Sequence, residues 1–493
     1  MRLKTSLLTL TLSGSVALMT PMASAQLSFV SAGNSATGQD PESSALADVD
    51  GDGDLDIIVA NGDSNFLTLM LNNGGSFTAS NIGISGQASG VVAADLDGDG
   101  DMDLATANGN TNSTSILLNN GAGGFAQTAV LPAGAKPRHL CAADFDGDLD
   151  VDLAVVNRDS NNVSLFSNSG AATFTASGTL AVGADPRFIS AGDLDGDGDA
   201  DLAVTNHDGN SVSLFTNVSG VFSASSSLLI TRPNAVVMAD VDGDGDRDLL
   251  VSVGHGGVNN VTVFTNSGGL FAQTGAFNTG LDPQEIAAFD ADGDGDLDVA
   301  TANAGSNNVS LLENTGVGTF LPAVTVAAST KASGCSAGDL DGDLSPDLVI
   351  ANSDANNVTL LINQHQLSGF STYGSGCAGS LGVPAFSGSG AVVGGGAVSL
   401  TLTNALQNST ALLFMGTQQV ALALPGGCTL LAGGTLILPG LALPVDGTGS
   451  LTVGGNLPAT LPSGALFFQM IVVDGGAANG QFAVSNGVKM TLP

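Results

Sequence analysis

Apolar residues along most of this chain come in short runs broken by clusters of Gly, Asn and Asp, and the order of the runs repeats. Gly90-Val91-Val92-Ala93-Ala94 enters an Asp-rich loop, and Asp103-Leu104-Ala105-Thr106-Ala107-Asn108 leaves it. Val163-Ser164-Leu165-Phe166 shows the third run of a unit, and turns such as Asn120-Gly121-Ala122-Gly123-Gly124-Phe125 open a fourth. Short runs of this kind bounded by turn residues predict four-stranded antiparallel meanders. A single such sheet cannot bury both of its faces, whereas a ring of them packs each against two neighbours, which is a β-propeller.

The period is fixed by the acidic loops, whose seven copies start 47 to 50 residues apart. The seventh unit ends after its third strand, Val358-Thr359-Leu360-Leu361-Ile362, while Leu27-Ser28-Phe29-Val30-Ser31 stands alone near the start of the chain. Pairing the two completes a seventh blade and hides an open edge. The predicted fold is therefore all-β: a seven-bladed propeller over residues 26–366 with metal-binding hairpin loops.

Residues 367–493 lack the acidic loops. Their apolar runs, Ala397 to Leu402, Ala411 to Met415, Leu436 to Leu438, Ser450 to Val453 and Leu466 to Val473, predict a small β-sandwich. Residues 1–25 read as a secretory signal, with Arg2 and Lys4, an apolar stretch from Leu7 to Met19, and Ala23-Ser24-Ala25 before Gln26. The apolar run Ala465 to Val473 is too short to span a bilayer. An exported chain, secreted or held at the cell surface, is expected, with no membrane span.

The loop pattern D-x-D-x-D-G-x-x-D is similar to the first nine positions of an EF-hand loop, in which oxygens surround a hard cation and a glycine permits the tight turn. The candidate ligands are Asp48, Asp50, Asp52, Asp54 and Asp56 in loop one, and Asp95, Asp97, Asp99, Asp101 and Asp103 in loop two. Loop three offers Asp144, Asp146, Asp148, Asp150 and Asp152, and loop four Asp193, Asp195, Asp197, Asp199 and Asp201. Loop five has Asp240, Asp242, Asp244, Asp246 and Asp248, loop six Asp290, Asp292, Asp294, Asp296 and Asp298, and loop seven Asp339, Asp341, Asp343, Ser345 and Asp347. All-oxygen ligation suits calcium, up to seven ions, better than magnesium or a transition metal. A solvated acidic loop explains one copy but not seven in register. The expected role of the metal is structural. Loops three and seven carry Leu149 and Leu344 where the others have glycine, and a residue with a Cβ resists that turn. Weaker calcium binding is expected there.

The formal charge of −36 follows from these loops, which hold most of the 46 acids; elsewhere acids and bases nearly balance. With no dense basic surface, nucleic acid is not an expected partner.

The repeats, their acidic loops followed by D-L-x-x-x-N, N-x-V-S-L and N-x-G-x-G-x-F segments, resemble the FG-GAP or VCBS repeats of bacterial exported proteins and of integrin α-subunit propellers. That resemblance implies a calcium-binding propeller over about Leu27 to Gln364 and leaves function open among adhesion receptors, lectin-like binders and a few enzymes. The C-terminal region, opening at Gly374-Ser375-Gly376-Cys377, looks like a module attached to secreted proteins of environmental bacteria.

Strand order places Lys136, Arg138, Arg158, Arg187, Arg232 and Lys331, with His139, His207 and His255, on the face away from the acidic loops. Beside Asp159, Asp185 and Asp208 they form a polar arc suited to an acidic glycan or a protein loop; the alternative is that Pro137-Arg138 and Pro186-Arg187 are ordinary crossover residues. Neither G-x-S-x-G nor H-E-x-x-H occurs, and the only tyrosine is Tyr373. The expected function is an extracellular binding or adhesion module for a glycan or protein ligand. A polysaccharide-lyase-like enzyme with a His or Lys of the arc as base, or a structural envelope protein, are the alternatives. Cys377 and Cys428 are the expected disulfide, whereas Cys141 and Cys335 enter nearly opposite blades as small buried residues.

Overall fold

The computed structural model describes residues 27–364 and, between residues 370 and 492, the strands of the C-terminal region. The signal segment 1–25 and the Cys377–Cys428 pairing lie outside the described residues. Strands are numbered β1 to β36 along the chain. Blade 1 is β2 (Pro41–Ala47), β3 (Asp56–Asn61), β4 (Phe66–Asn72) and β5 (Phe77–Gly83), and five further meanders of the same form follow. Blade 7 takes β26 (Ala332–Gly338), β27 (Asp347–Asn352) and β28 (Asn357–Asn363) from one end of the repeat array and β1 (Phe29–Ala36) from the other.

The first strands of the blades form the axial ring. β2, β6 (Ala88–Ala94), β10 (Pro137–Ala143), β14 (Pro186–Gly192), β18 (Pro233–Ala239), β22 (Pro283–Phe289) and β26 each touch the next, and β26 closes onto β2. Every second strand, from Asp56–Asn61 through β19 (Asp248–His255) to Asp347–Asn352, is buried at each position whose burial is described. It has a neighbouring sheet on each face, so the in-and-out alternation of a one-sided sheet disappears. Alternation returns in the rim strands, as in β9 (Ala126–Pro132). The core lies between blades: Val156, Leu165, Ile189, Leu202 and Phe215, for example, join blades 3 and 4.

β1 pairs antiparallel with β28 from Phe29 opposite Asn363 to Ala36 opposite Asn357, as the chain ends predict. Cys141 and Cys335 are free thiols; Cys335 is buried as expected, whereas Cys141 is half-buried. Beyond residue 369 the described strands form a five-stranded and a three-stranded sheet. Among the described residues no helix is long and apolar enough to cross a membrane.

Candidate functional site

Each acidic loop joins the first strand of its blade to the second. The carboxylate at its first position folds the loop on itself: Asp48 accepts from the amides of Gly51 (2.8 Å) and Gly53 (2.9 Å), and Asp95, Asp144, Asp193, Asp240, Asp290 and Asp339 repeat the pattern. The fifth-position carboxylate accepts from the amide two residues on, as Asp52 does from Asp54 at 3.0 Å. The last carboxylate is buried and anchors the loop to the sheet: Asp56 Oδ2 accepts from Val49 (2.9 Å) and Oδ1 from Asn72 (2.7 Å). At the seventh position, Asp54, Asp199 and Asp246 accept amides from the turn between third and fourth strands of their own blade.

The third-position carboxylate varies: Asp97, Asp242, Asp292 and Asp341 accept from the amide two residues on, at 3.2 to 3.3 Å. Asp50 Oδ1 and Asp146 Oδ1 are buried without a hydrogen-bond partner. The carboxyl of Asp50 lies above its ordinary range, first through its partial burial and then through Asp52 beside it, and Asp97, Asp146, Asp195 and Asp242 follow. Burial likewise pushes Asp152, Asp201 and Asp347 up to about 6 and Asp298 up to about 7.

One oxygen from each of Asp48, Asp50 and Asp56 lies within 4.8 Å of the others; Asp95, Asp97 and Asp99, Asp144, Asp146 and Asp152, and Asp193, Asp195 and Asp197 do the same. Oxygens this close can all touch one cation at a bond length of about 2.4 Å, and an all-oxygen donor set is of the kind calcium takes.

In loops three and seven, Leu149 (φ 75°) and Leu344 (φ 78°) adopt the left-handed conformation that Gly53 and Gly100 adopt at 95°. Their amides still donate to Asp144 (3.0 Å) and Asp339 (2.8 Å). The turn is thus kept at the expense of strain, about 1 kcal/mol or more for a residue with a Cβ. Leu149 is 90% exposed, so replacing it loses no core. Leu149→Gly should raise the thermal midpoint and tighten loop-three calcium binding severalfold; a calcium titration showing no gain refutes the strain argument.

A belt of asparagines ties the loops of adjacent blades together, and sequence reasoning had missed it. Asn72 Nδ2 donates to Leu55 O of its own loop (3.1 Å) and to Leu340 O of the loop in blade 7 (2.8 Å). Asn119, Asn168, Asn217, Asn266, Asn314 and Asn363 each reach the preceding blade in the same way. The available signal was an Asn recurring 16 residues beyond the last Asp of each loop, 18 in loop five.

At the other end of the axial strands, about 20 Å away at roughly 3.3 Å per residue, every first strand loses register just after its opening residue. The irregularity falls between Pro41 and Ser43, Ala88 and Gly90, Pro137 and His139, Pro186 and Ile189, Pro233 and Val236, Pro283 and Ile286, and Ala332 and Gly334. Irregularities of this kind re-aim side chains. The released residues Glu42, Ser89, Arg138, Arg187, Asn234, Gln284 and Ser333 line an axial cavity of about 360 Å³, with His139, Phe188, Glu285 and Lys331.

His139 of blade 3 and Glu285 of blade 6 meet across the axis, Nε2 to Oε1, at 4.0 Å, and His139 stacks on Phe188 of blade 4 with ring centroids 3.6 Å apart. Burial, with the charge of Arg138, pushes His139 down to about 3, so its imidazole is neutral and a weak base. Arg187 is occupied by Asp185 and Asn234, and Asp185 also holds Arg158 and His207. Burial opposes ionisation of Asp185, but Arg158 and Arg187 outweigh it and keep the carboxyl below its usual range. Arg232 faces Asp208 at 3.9 Å and Lys331 faces Asp354 at 3.2 Å. The predicted arc is thus split: Arg158 and His207 brace a crossover, Arg138, His139 and Lys331 reach the cavity, and Arg187 does both. Lys136 does not line it, and the side chain of His255 lies outside the described part.

Glu285 and Glu42 were not anticipated. Burial pushes Glu285 from its ordinary 4.5 up to about 8, against the Cys335 amide and Arg138, which draw it down. The folded chain therefore binds a proton at Glu285 that the unfolded chain releases. The associated stability is complete below about pH 4.5 and is lost as pH rises through about 8. Glu285→Gln, which keeps an acceptor for the Cys335 amide, should leave the thermal midpoint near parental at about pH 5 and raise it by several degrees at about pH 9. Parallel midpoints at both pH values remove Glu285 as the cause.

The family model of the FG-GAP-like repeat matches residues 48–106, 95–155, 144–204, 193–251, 240–301 and 290–350, more than half of the chain. Comparison with curated proteins gives no match. Among solved structures, BBS1N from its complex with ARL6DN aligns with a TM-score of 0.52 at 12% identity, covering 68% of this chain and 96% of that one. A protein from Lactobacillus plantarum aligns at 0.49 and 17% identity, covering 61% of this chain and 88% of that one. The periplasmic gluconolactonase of Pseudomonas aeruginosa aligns at 0.44 and 17% identity, covering 59% and 87%. At such identities the first likeness shows the fold alone, and the other two are too distant to add to it. Six matched repeats inside a ring of seven blades place the chain in the FG-GAP-like repeat family.

Proposed function

We propose that the chain is an exported binding module in which calcium in the acidic loops pins the blades and the opposite face recognises an extracellular glycan or protein. The observation that carries this reading is the residue re-aimed at the start of each axial strand. The frame of the blade is repeated, yet this position is Glu42, Ser89, Arg138, Arg187, Asn234, Gln284 and Ser333 in turn. A repeated frame with five kinds of polar residue at the same place in seven blades is a way to build one asymmetric site at the centre of a symmetric ring.

The carboxylates at positions one, three and five of each loop, such as Asp48, Asp50 and Asp52, would hold the ion, with Asp56 beneath them. Bound calcium would neutralise their repulsion and cross-link the loop. Binding of the calcium-loaded full chain to arrays of glycans and extracellular proteins, compared with an Arg138→Glu variant of equal thermal stability, tests the proposal. Capture that the variant loses supports it, and failure to bind anything on either array overturns it.

A further inference from the structure

The axial cavity carries a more specific assignment, which rests on the binding reading above. Its rim groups are carboxylate, guanidinium, amide and hydroxyl, so it offers hydrogen-bond donors and acceptors side by side in planar, oriented form. Its charges are largely answered from within: Arg187 by Asp185, Lys331 by Asp354. Arg138 and Glu42 face each other from blades 3 and 1 at 3.7 Å, too far for a direct hydrogen bond. Glu42 Oε2 and His139 Nδ1 are both buried without a hydrogen-bond partner. Two orphaned polar atoms in a cavity with no strong excess of charge call for a ligand that donates and accepts at adjacent atoms and carries no net charge. Neighbouring hydroxyls on a sugar ring do this: one accepts from the Arg138 guanidinium while the next donates to Glu42.

The shape narrows the ligand further. The cavity opens on the face away from the acidic loops and is crossed at its base by His139, Phe188 and Glu285. Its volume of about 360 Å³ lies at the small end of ligand sites. An axial well of that size, crossed by His139 and Glu285, suits the end of a chain better than its interior, and the part of Phe188 that His139 leaves uncovered adds an apolar contact for a ring. We infer that the axial cavity is a saccharide site that seats the terminal residue of a neutral glycan, with adjacent hydroxyls bridging Glu42 and Arg138.

The test is saturation-transfer NMR and calorimetry on the calcium-loaded full chain with maltose, cellobiose, lactose and xylobiose, and with glucuronic and galacturonic acids as charged counterparts. At least one neutral disaccharide should bind, its terminal ring receiving most of the saturation. Glu42→Gln and Arg138→Gln should each weaken it at least tenfold without moving the thermal midpoint, while Lys136→Gln on the same face should not weaken it. Binding of the uronic acids alone, neutral binding untouched by both substitutions, or binding of none of the six sugars overturns the assignment. If the array experiment still shows capture of a protein or an acidic polymer, the broader binding reading survives that failure; if neither experiment shows binding, both fall.

Discussion

Stripping divalent cations from the full chain with EDTA is expected to lower its thermal midpoint by on the order of ten degrees. Extracellular calcium modules bind at about 0.1 to 1 mM, so at about 2 mM free calcium each filled loop adds roughly 0.6 to 1.8 kcal/mol. Summed over five loops with glycine at the turn, this is about 3 to 9 kcal/mol, comparable with the whole stability of an ordinary domain. The sum understates cooperativity, because Asn119 Nδ2 joins Val49 O of one loop to Met102 O of the next and the same link runs round the ring. A loop that loosens through repulsion among its carboxylates therefore disturbs the seam with its neighbour. Calcium should restore the midpoint and magnesium, which needs a stricter octahedron, should not. An unchanged midpoint in EDTA, or full rescue by magnesium, removes calcium from the account of the fold.

What the sequence made legible was whatever the repeat multiplies. The acidic loops, the four runs per unit and the stray strand at Leu27 to Ser31 were each readable because the same local chemistry recurs in register. The groups that line the axial cavity were harder to find for a physical reason. In PQEIAAF, the strand β22, Gln284 and Glu285 interrupt an apolar pattern, and alternation alone sends them to either face of a sheet. The register shift between Pro283 and Ile286 turns them toward the axis, and such a shift leaves no mark on a two-residue period. Strand order set Arg158 and Arg187 beside Asp185, but it does not show that this one carboxylate takes up both. In the C-terminal region, Gly416 and Pro439 read as breaks between short strands. The long strands β32 (Thr410–Ala423) and β33 (Thr429–Pro444) instead run through them and absorb the misfit as register shifts.

Removing residues 26–34 is expected to be at least as damaging as removing the metal. β1 supplies the fourth strand of blade 7, and the seam continues past it: Gln364 donates to Ser28 O at 2.7 Å, and Thr359 Oγ1 to Asn34 Oδ1 at 2.8 Å. Its apolar face belongs to the core. Leu27 and Phe29 are 3% and 6% exposed, and the Phe29 ring meets Phe289 of blade 6 edge-on, with centroids 6.3 Å apart. Deletion thus uncovers β28 from Thr359 to Asn363 as an unpaired edge and opens the hydrophobic layer between blades 6 and 7, so aggregation should accompany instability. Phe29→Ala isolates the packing part, at about 3 to 5 kcal/mol. Val30→Ala provides the comparison, since Val30 is 54% exposed in the same strand and its loss should be nearly silent. Thermal and urea unfolding of the three variants in calcium should rank deletion below Phe29→Ala, with Val30→Ala close to the parent. If the truncated chain unfolds where the parent does, the ring is not closed by its first strand, and the blade that joins its two ends must be drawn differently.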